Sequence, residues 1–262
     1  MSEPTWSTDE MMTISAARML RNGAVCFVGI GLPSTAANLA RLTHASDVVL
    51  IYESGSIGAK PSILPLSIGD GNLAETADTV VSTPEVFRYW LQGGRVDVGF
   101  LGAAQLDRFA NINTTVIGDY HKPKTRLPGA GGAPEISSSA KEVLIIVRQS
   151  KRTFVEKLDF ITSVGFLTGG DSRKREGIPG KGPSAVVTDL CILRPEAGSC
   201  ELIVSSIHPG ASKELIVQKT GWNIRFAEEC PETNPPTAHE LEVLRDLKRR
   251  TLAVHSQPVG EA

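Results

Sequence analysis

Four runs of apolar, largely β-branched residues recur along the chain at intervals too long for hairpins. They are AVCFVGIG (24–31), DVVLIY (47–52), VDVGFLGA (96–103) and EVLIIVR (142–148). Strands that are apolar in nearly every position belong to sheets covered on both faces, and such sheets are built by crossover connections between parallel strands. The intervening segments carry helix signals. LPSTAANLARL places Pro33 in a first helical turn, where a missing N–H costs nothing. Thr83-Pro84 opens a second helix through EVFRYWLQ, which Gly93-Gly94 closes, and the stretch after GAGGAPE (129–135) reads as helical through SSSAK. Upstream, Ser7 to Glu10 (STDE) fits a capping box. Met11, Ile14, Ala17 and Met19-Leu20 then share one face of a first helix that Asn22-Gly23 ends. The expected fold is therefore α/β, an open, mostly parallel sheet with helices on both faces.

From about residue 150 the texture changes. GGDSRKREGIPGKGP (169–183) reads as a polar loop long enough to be functional or partly mobile. VVTDLCILRP, then EAG, then SCELIVSSI reads as an antiparallel hairpin, with a short helix in HPGASKELIVQKTG after it. The C-terminal third is thus expected to extend the sheet of one domain spanning 1–262. A docking helix over 237–253 is expected to finish it: Thr237 to Glu240 (TAHE) forms a second capping box, and Leu241, Leu244, Leu247 and Leu252 are spaced for one face. That face is expected to lie on the body or on a partner subunit.

Composition removes several functions. Lys plus Arg at 27 nearly balance Asp plus Glu at 29 with no long run of either sign, so nothing marks a surface for nucleic acid or an anionic membrane. The N-terminus MSEPTWSTDEMM carries acids where a secretory signal has basic residues, and no apolar stretch approaches a membrane span, which reads as cytoplasmic. Cys26, Cys191, Cys200 and Cys230 lie far apart without CxxC spacing or a histidine cluster. They are read as small buried thiols, not as disulfides or a metal site.

The candidate chemistry starts at VVLIYESGSIG (48–58), where an apolar strand runs directly into Glu53 and then breaks into Ser and Gly. In an open α/β sheet ligands bind at the carboxyl ends of the strands, where an acid can act as a covalent nucleophile. The other reading is a loop or N-cap acceptor. VGIGLPS (28–34) lacks the third glycine of a dinucleotide fingerprint and the lysine of a P-loop. Its small residues Gly29, Ile30 and Gly31 lie between strand and helix, where they serve either as a tight turn or as amide donors to a developing oxyanion. Gly129, Gly131 and Gly132 of GAGGAPE pose the same choice between a flexible loop and a backbone that another chain or a pantetheine arm can approach. No GxSxG elbow exists, and His121 in GDYHKPKTR reads as a loop or structural residue. Gln105 and Asn113 are either polar contacts near a substrate carbonyl or loop hydrogen bonds. Lys124 and Arg126 are either partners for a carboxylate or phosphate, or solvated charges.

The ordered set VGIGLP, YESG, FLGAAQLDRFANINTT, GDYHKPKTRLPGAGGA and KLDFITSVGF resembles the B (β) subunits of family I CoA-transferases over nearly the whole chain. The likeness is closest to the subunits acting on 3-oxoadipate, by the stretch YESGSIGAKPSILPLSIGDGNLAETADTVV, and next to those acting on glutaconate. Ser54-Gly55 stands where many members have Asn-Gly, as in the glutaconate type, which disfavours the succinyl-CoA:acetoacetate subgroup. Some relatives of this fold are decarboxylases or ring-opening hydrolases that have lost the acid, so its presence here favours transfer. The resemblance implies that Glu53 is the nucleophile of a ping-pong transfer of CoA from succinyl-CoA. VGIGLP and GAGG are implied to surround the thioester. Ser54, Gln105, Asn113 and Arg126 are the secondary candidates for substrate contact, read from their positions in the chain. The resemblance further implies a separate A subunit completing a hetero-oligomer, with a small dicarboxylate as acceptor and no metal or redox cofactor. An acyl-CoA hydrolase and a non-catalytic subunit remain as alternatives.

Overall fold

The computed structural model describes residues 5–255. Its main strands, in chain order, are β1 (Val25–Phe27), β2 (Val49–Ile51), β3 (Ser56–Ile57), β4 (Thr79–Val80) and β5 (Val98–Leu101). Two short ribbons follow, β6 (Gln105–Leu106) with β7 (Ile112–Asn113), and β8 (Val116–Gly118) with β9 (Pro123–Arg126). The sheet then resumes with β10 (Glu142–Ile146), β11 (Pro183–Val187), β12 (Cys191–Pro195), β13 (Leu202–Ile207) and β14 (Arg225–Phe226). Ten of these strands form one sheet in the order β14-β13-β12-β11-β10-β5-β1-β2-β3-β4. Its centre, β2-β1-β5-β10-β11, is parallel, whereas β3, β4, β12 and β13 are added antiparallel. The hairpin expected after residue 185 is β12-β13, which continues the same sheet.

Alternation along each strand divides its side chains between two layers. Cys26, Leu50, Phe100, Leu144 and Ile146 enter one apolar cluster, and Phe27, Ile51, Val143 and Ile145 enter the other. Helices α1 (Thr8–Ala17) and α2 (Leu32–Leu42) cover the first layer, joined by the C-terminal helix. On the second layer lie α4 (Thr83–Glu85), which continues as a π-helix over Val86–Leu91, and α5 (Ala133–Ser139). Short α3 (Gly71–Glu75) lies in the loop after β3, and α6 (Ser172–Arg175) between β10 and β11. Helix α7 (Lys213–Lys219) packs Ile216 into the second layer, and α8 (Ala238–His255) closes the described chain.

Both expected capping boxes form. Ser7 N–H donates to Glu10 and Glu10 N–H to Ser7 Oγ, and Thr237 and Glu240 repeat the exchange. Helix α8 buries Leu241, Leu244 and Leu247, but Leu252 is 67% exposed. The five-residue step from Leu247 turns it well away from the shared face.

Four other expectations are corrected. The segment after Thr83-Pro84 is mostly a π-helix, closed by Gln92 N–H to Phe87 O at 2.8 Å. The 169–183 segment contains α6 and is tied down by buried Arg173, whose guanidinium donates to the carbonyls of Ser137, Gly165 and Gly180. The strand expected over 96–103 is four residues long, because the chain turns at Gly102 to feed the ribbons. Cys26 and Cys191 are buried, but Cys200 and Cys230 lie in loops and are partly exposed, Cys200 at a φ of 58°.

Candidate active site

Glu53 owes its position to the turn that ends β2. Gly55 N–H donates to Tyr52 O and Tyr52 N–H to Ser56 O, both at 3.0 Å, so Glu53 and Ser54 form the tip of a tight reversal into β3. Position 55 admits only glycine, since its φ is +109° and a Cβ there would lie 1.9 Å from the Val81 carbonyl oxygen. Thr83 at the head of α4 donates its hydroxyl to the Glu53 carbonyl at 3.3 Å. The Glu53 side chain is half-buried and Ser54 is exposed.

The strand order reverses at β1: the chain passes from β1 to β2 on one side and returns to β5 on the other. Such a switch point opens a crevice at the carboxyl ends of the strands. A cavity of about 440 Å³ occupies it. Phe27 to Ile30 leave β1 into the cavity, Phe100 to Gly102 leave β5, and Pro128 to Ala133 roof it. Apart from Thr114 the walls are apolar or backbone, and Glu53 is the one ionisable side chain among the lining residues. The half-buried Glu53 carboxylate is therefore the one charged group that faces this space.

The glycine loops supply the backbone. Gly31 caps α2 with a φ of +81°, and Gly129 and Gly131 take φ values of +105° and +50°. Gly132 has ordinary backbone, but a Cβ there would stand 2.7 Å from the Phe87 ring and 3.3 Å from Glu53 Oε1. Its missing side chain lets the carboxylate approach the loop. The N–H groups of Gly29, Ile30, Gly131 and Gly132 donate to no described backbone or side-chain acceptor, and all four residues line the cavity. Gly31 does not line it.

The remaining candidates lie elsewhere. Gln105 and Asn113 are buried and bonded to each other at 2.7 Å, with Gln105 also donating to Asp159 at 2.8 Å and Asn113 to Val116 O at 2.6 Å. Neither lines the Glu53 cavity, although Thr114 beside Asn113 does. Gln105 and Lys124 line a second cavity of about 610 Å³ that shares Ala104 with the first. Arg126 lies over the Tyr120 ring at 4.9 Å and donates to Tyr120 O, and exposed His121 meets the same ring edge-on. Phe87, Thr83 and Ile68 escaped the sequence reading. Thr83 reaches the site from the head of α4, and Phe87 lies in the π-helical turn over 86–91, which no local periodicity announces. Among the described residues no group of three or more His, Cys, Asp or Glu side chains could hold a metal ion, and no helix is long and apolar enough to cross a membrane.

The model of the family described as Coenzyme A transferase matches residues 9–219. The B subunit of the 3-oxoadipate CoA-transferase of Pseudomonas knackmussii is 73% identical over 256 residues, covering 98% of both chains. The B subunit of the glutaconate CoA-transferase of Acidaminococcus fermentans is 32% identical over 92% of both. The crystal structure of that organism's glutaconate coenzyme A-transferase superposes with a TM-score of 0.88 at 31% identity, covering 97% of this chain and 99% of that one. With its fold and these relatives in agreement along almost its full length, the chain belongs to the coenzyme A transferase family.

Proposed function

We propose that this chain is the B subunit of a 3-oxoadipate CoA-transferase, moving CoA from succinyl-CoA by a ping-pong route through a thioester on Glu53. The observation that carries the reading is Glu53 itself, the single ionisable group in an apolar cavity bordered by unpaired backbone N–H groups. A Glu53 carboxylate oxygen attacks the thioester carbonyl carbon, the C–S bond breaks, and CoA thiolate leaves a mixed acyl-glutamyl anhydride. The thiolate then attacks the Glu53 carbonyl carbon, expelling succinate and leaving glutamyl-CoA thioester. An acceptor carboxylate repeats the two steps in reverse, so protons, electrons and acyl groups balance without a metal or redox partner. On this reading the amides of Gly29, Ile30, Gly131 and Gly132, which border the cavity, receive the tetrahedral oxyanions.

The choice of 3-oxoadipate over glutaconate follows the 73% relative over the 32% one. The exposed mouth of the cavity and the subunit naming of both relatives support a hetero-oligomer in which an A subunit supplies the rest of the acid pocket. The compartment in which it works is the cytoplasm on this reading.

The test is direct. The chain is co-purified with its A partner, incubated with succinyl-CoA without acceptor, and reduced with borohydride, and the Glu53 peptide is weighed. Conversion of Glu53 to its alcohol, dependent on acyl-CoA, is the expected result. Glu53→Gln is expected to cut transfer by roughly a thousandfold or more while the complex still assembles. An unmodified Glu53 peptide, or a Glu53→Gln complex that still transfers CoA, overturns the assignment. Hydrolysis of acyl-CoA that proceeds equally without acceptor would favour the hydrolase alternative.

A further inference from the structure

A polar cluster lies buried beneath the site in an otherwise apolar layer. The Tyr52 hydroxyl, at the residue preceding Glu53, lies 3.1 Å from Ser34 Oγ and accepts from Asn38 Nδ2 at 3.2 Å. All three residues are at most 1% exposed, and Cys26, Leu50 and Leu39 of the same layer pack around them. Asn38 Nδ2 also donates to Ser34 O at 3.0 Å, and its Oδ1 accepts from the Arg41 guanidinium at 3.3 Å. Arg41 in turn donates to Pro61 O at 2.8 Å, in the loop that follows the Glu53 turn. The cluster thus grips the chain on both sides of Glu53 and anchors it to α2. The cap of that helix, Gly31, lies three residues before Ser34, and the cavity-lining Gly29 and Ile30 lie immediately upstream.

We propose that Tyr52, Ser34 and Asn38 act as a positioning clamp that holds the Glu53 carboxylate in register with the amide donors of the 29–31 loop. The proposal rests on the acyl-transfer reading and deepens it. Packing alone calls for no hydroxyl here, since a phenylalanine would fill the same space without the desolvation cost of a buried phenol. Burial raises the Tyr52 pKa against the pull of the Ser34 and Asn38 hydrogen bonds, so the group stays a neutral donor and acceptor. A fully satisfied buried network selects one arrangement of strand against helix where apolar contacts alone permit small slides. Nucleophilic attack is sensitive to such slides, because the reacting atoms must meet at about 3–3.5 Å.

Tyr52→Phe, Ser34→Ala and the double variant, each assembled with the A subunit, test the clamp. The readouts are kcat, KM for succinyl-CoA, Tm, and the rate of borohydride-trappable thioester formation at Glu53 in rapid-quench mixing. Each single change is expected to slow trapping and kcat by about 10- to 100-fold with KM within about twofold. The double variant is expected to be no slower than the slower single, since the two hydroxyls act as one unit. Unchanged trapping rates alongside a lowered Tm would overturn the clamp and leave the cluster a purely stabilising one, as would losses that multiply in the double variant. Should Tyr52→Phe fail to assemble, Ser34→Ala alone carries the same two outcomes. A wild-type complex that never traps at Glu53 overturns the acyl-transfer reading and the clamp with it, whereas normal wild-type trapping matched by Tyr52→Phe overturns the clamp alone.

Discussion

Glu53 and Gly132 meet across a gap that tolerates no extra carbon. A methyl group at position 132 would touch both the Phe87 ring and Glu53 Oε1, while the Gly132 φ of −80° suits any residue. The glycine is therefore required by contact and not by conformation. Gly132→Ala is expected to displace the Phe87 ring or the carboxylate, cutting kcat/KM about tenfold with a stability loss of about 1 kcal/mol or less. Adding Phe87→Leu should return part of the activity by making room, which steady-state kinetics of the two complexes will check. Both glycine loops are visible in the sequence as small-residue runs. That Gly132 faces the carboxylate, while Gly31 serves the α2 cap outside the cavity, is not.

Among the elements, the 169–183 segment shows how one buried side chain converts an apparently free loop into structure. Arg173 is 6% exposed and its guanidinium supplies hydrogen bonds to four carbonyls: Gly180 within the segment, Val164 and Gly165 just ahead of it, and Ser137 of α5. Burial lowers its pKa to about 10, which still leaves it charged at neutral pH. Arg173→Met keeps the stem but strands those acceptors, and is expected to cost about 3 kcal/mol or more in urea unfolding. Arg173→Lys should recover only a fraction, because an ammonium cannot reach all of them at once. In the sequence SRKR is simply part of a polar loop, since nothing local distinguishes the one arginine that turns inward from Lys174 and Arg175 beside it. The π-helix over 86–91 was equally hidden: its apolar residues read as an ordinary helix, and only the packing of Phe87 near Phe27, at 5.8 Å between ring centroids, shows what the wider turn achieves.

At the scale of the whole molecule, α8 returns to cover the first helix and closes the fold electrostatically. Arg245 binds Glu10 of α1 at 2.7 Å, and Arg18 binds Glu240 of α8 through two oxygens at 2.7 and 2.6 Å. The Arg245 hydrogen bond holds the Glu10 carboxyl down at about 2. Burial pushes the Glu240 carboxyl up, but the Arg18 and Thr237 hydrogen bonds outweigh it and bring it to about 2 as well. Both folded values lie below the ordinary 4.5, so the stabilisation is fully present above that pH and is lost as pH falls from 4.5 towards 2. A Tm series from pH 6 to pH 3 is expected to decline through this window, and Arg18→Ala and Arg245→Ala to flatten it. At pH 6 each of these variants should melt lower by about 3 °C or more.

What the sequence by itself determined is local and periodic. The apolar runs imposed a covered parallel sheet, the capping boxes set the starts of α1 and α8, and the run leading to Glu53 placed one acid just past the carboxyl end of β2. Five ordered motifs were enough for the resemblance that the relatives bear out. Only the tertiary structure decided which side of β1 receives β5, and with it where the crevice opens. It also decided that Gln105 and Asn113 bond to each other instead of facing the Glu53 cavity, and that Tyr52 shares its hydroxyl with α2. The physical reason is range. Propensity, capping and alternation act over a few residues, whereas strand order and buried polar partnerships pair residues far apart in the chain, and nothing in their own neighbourhoods records the partner.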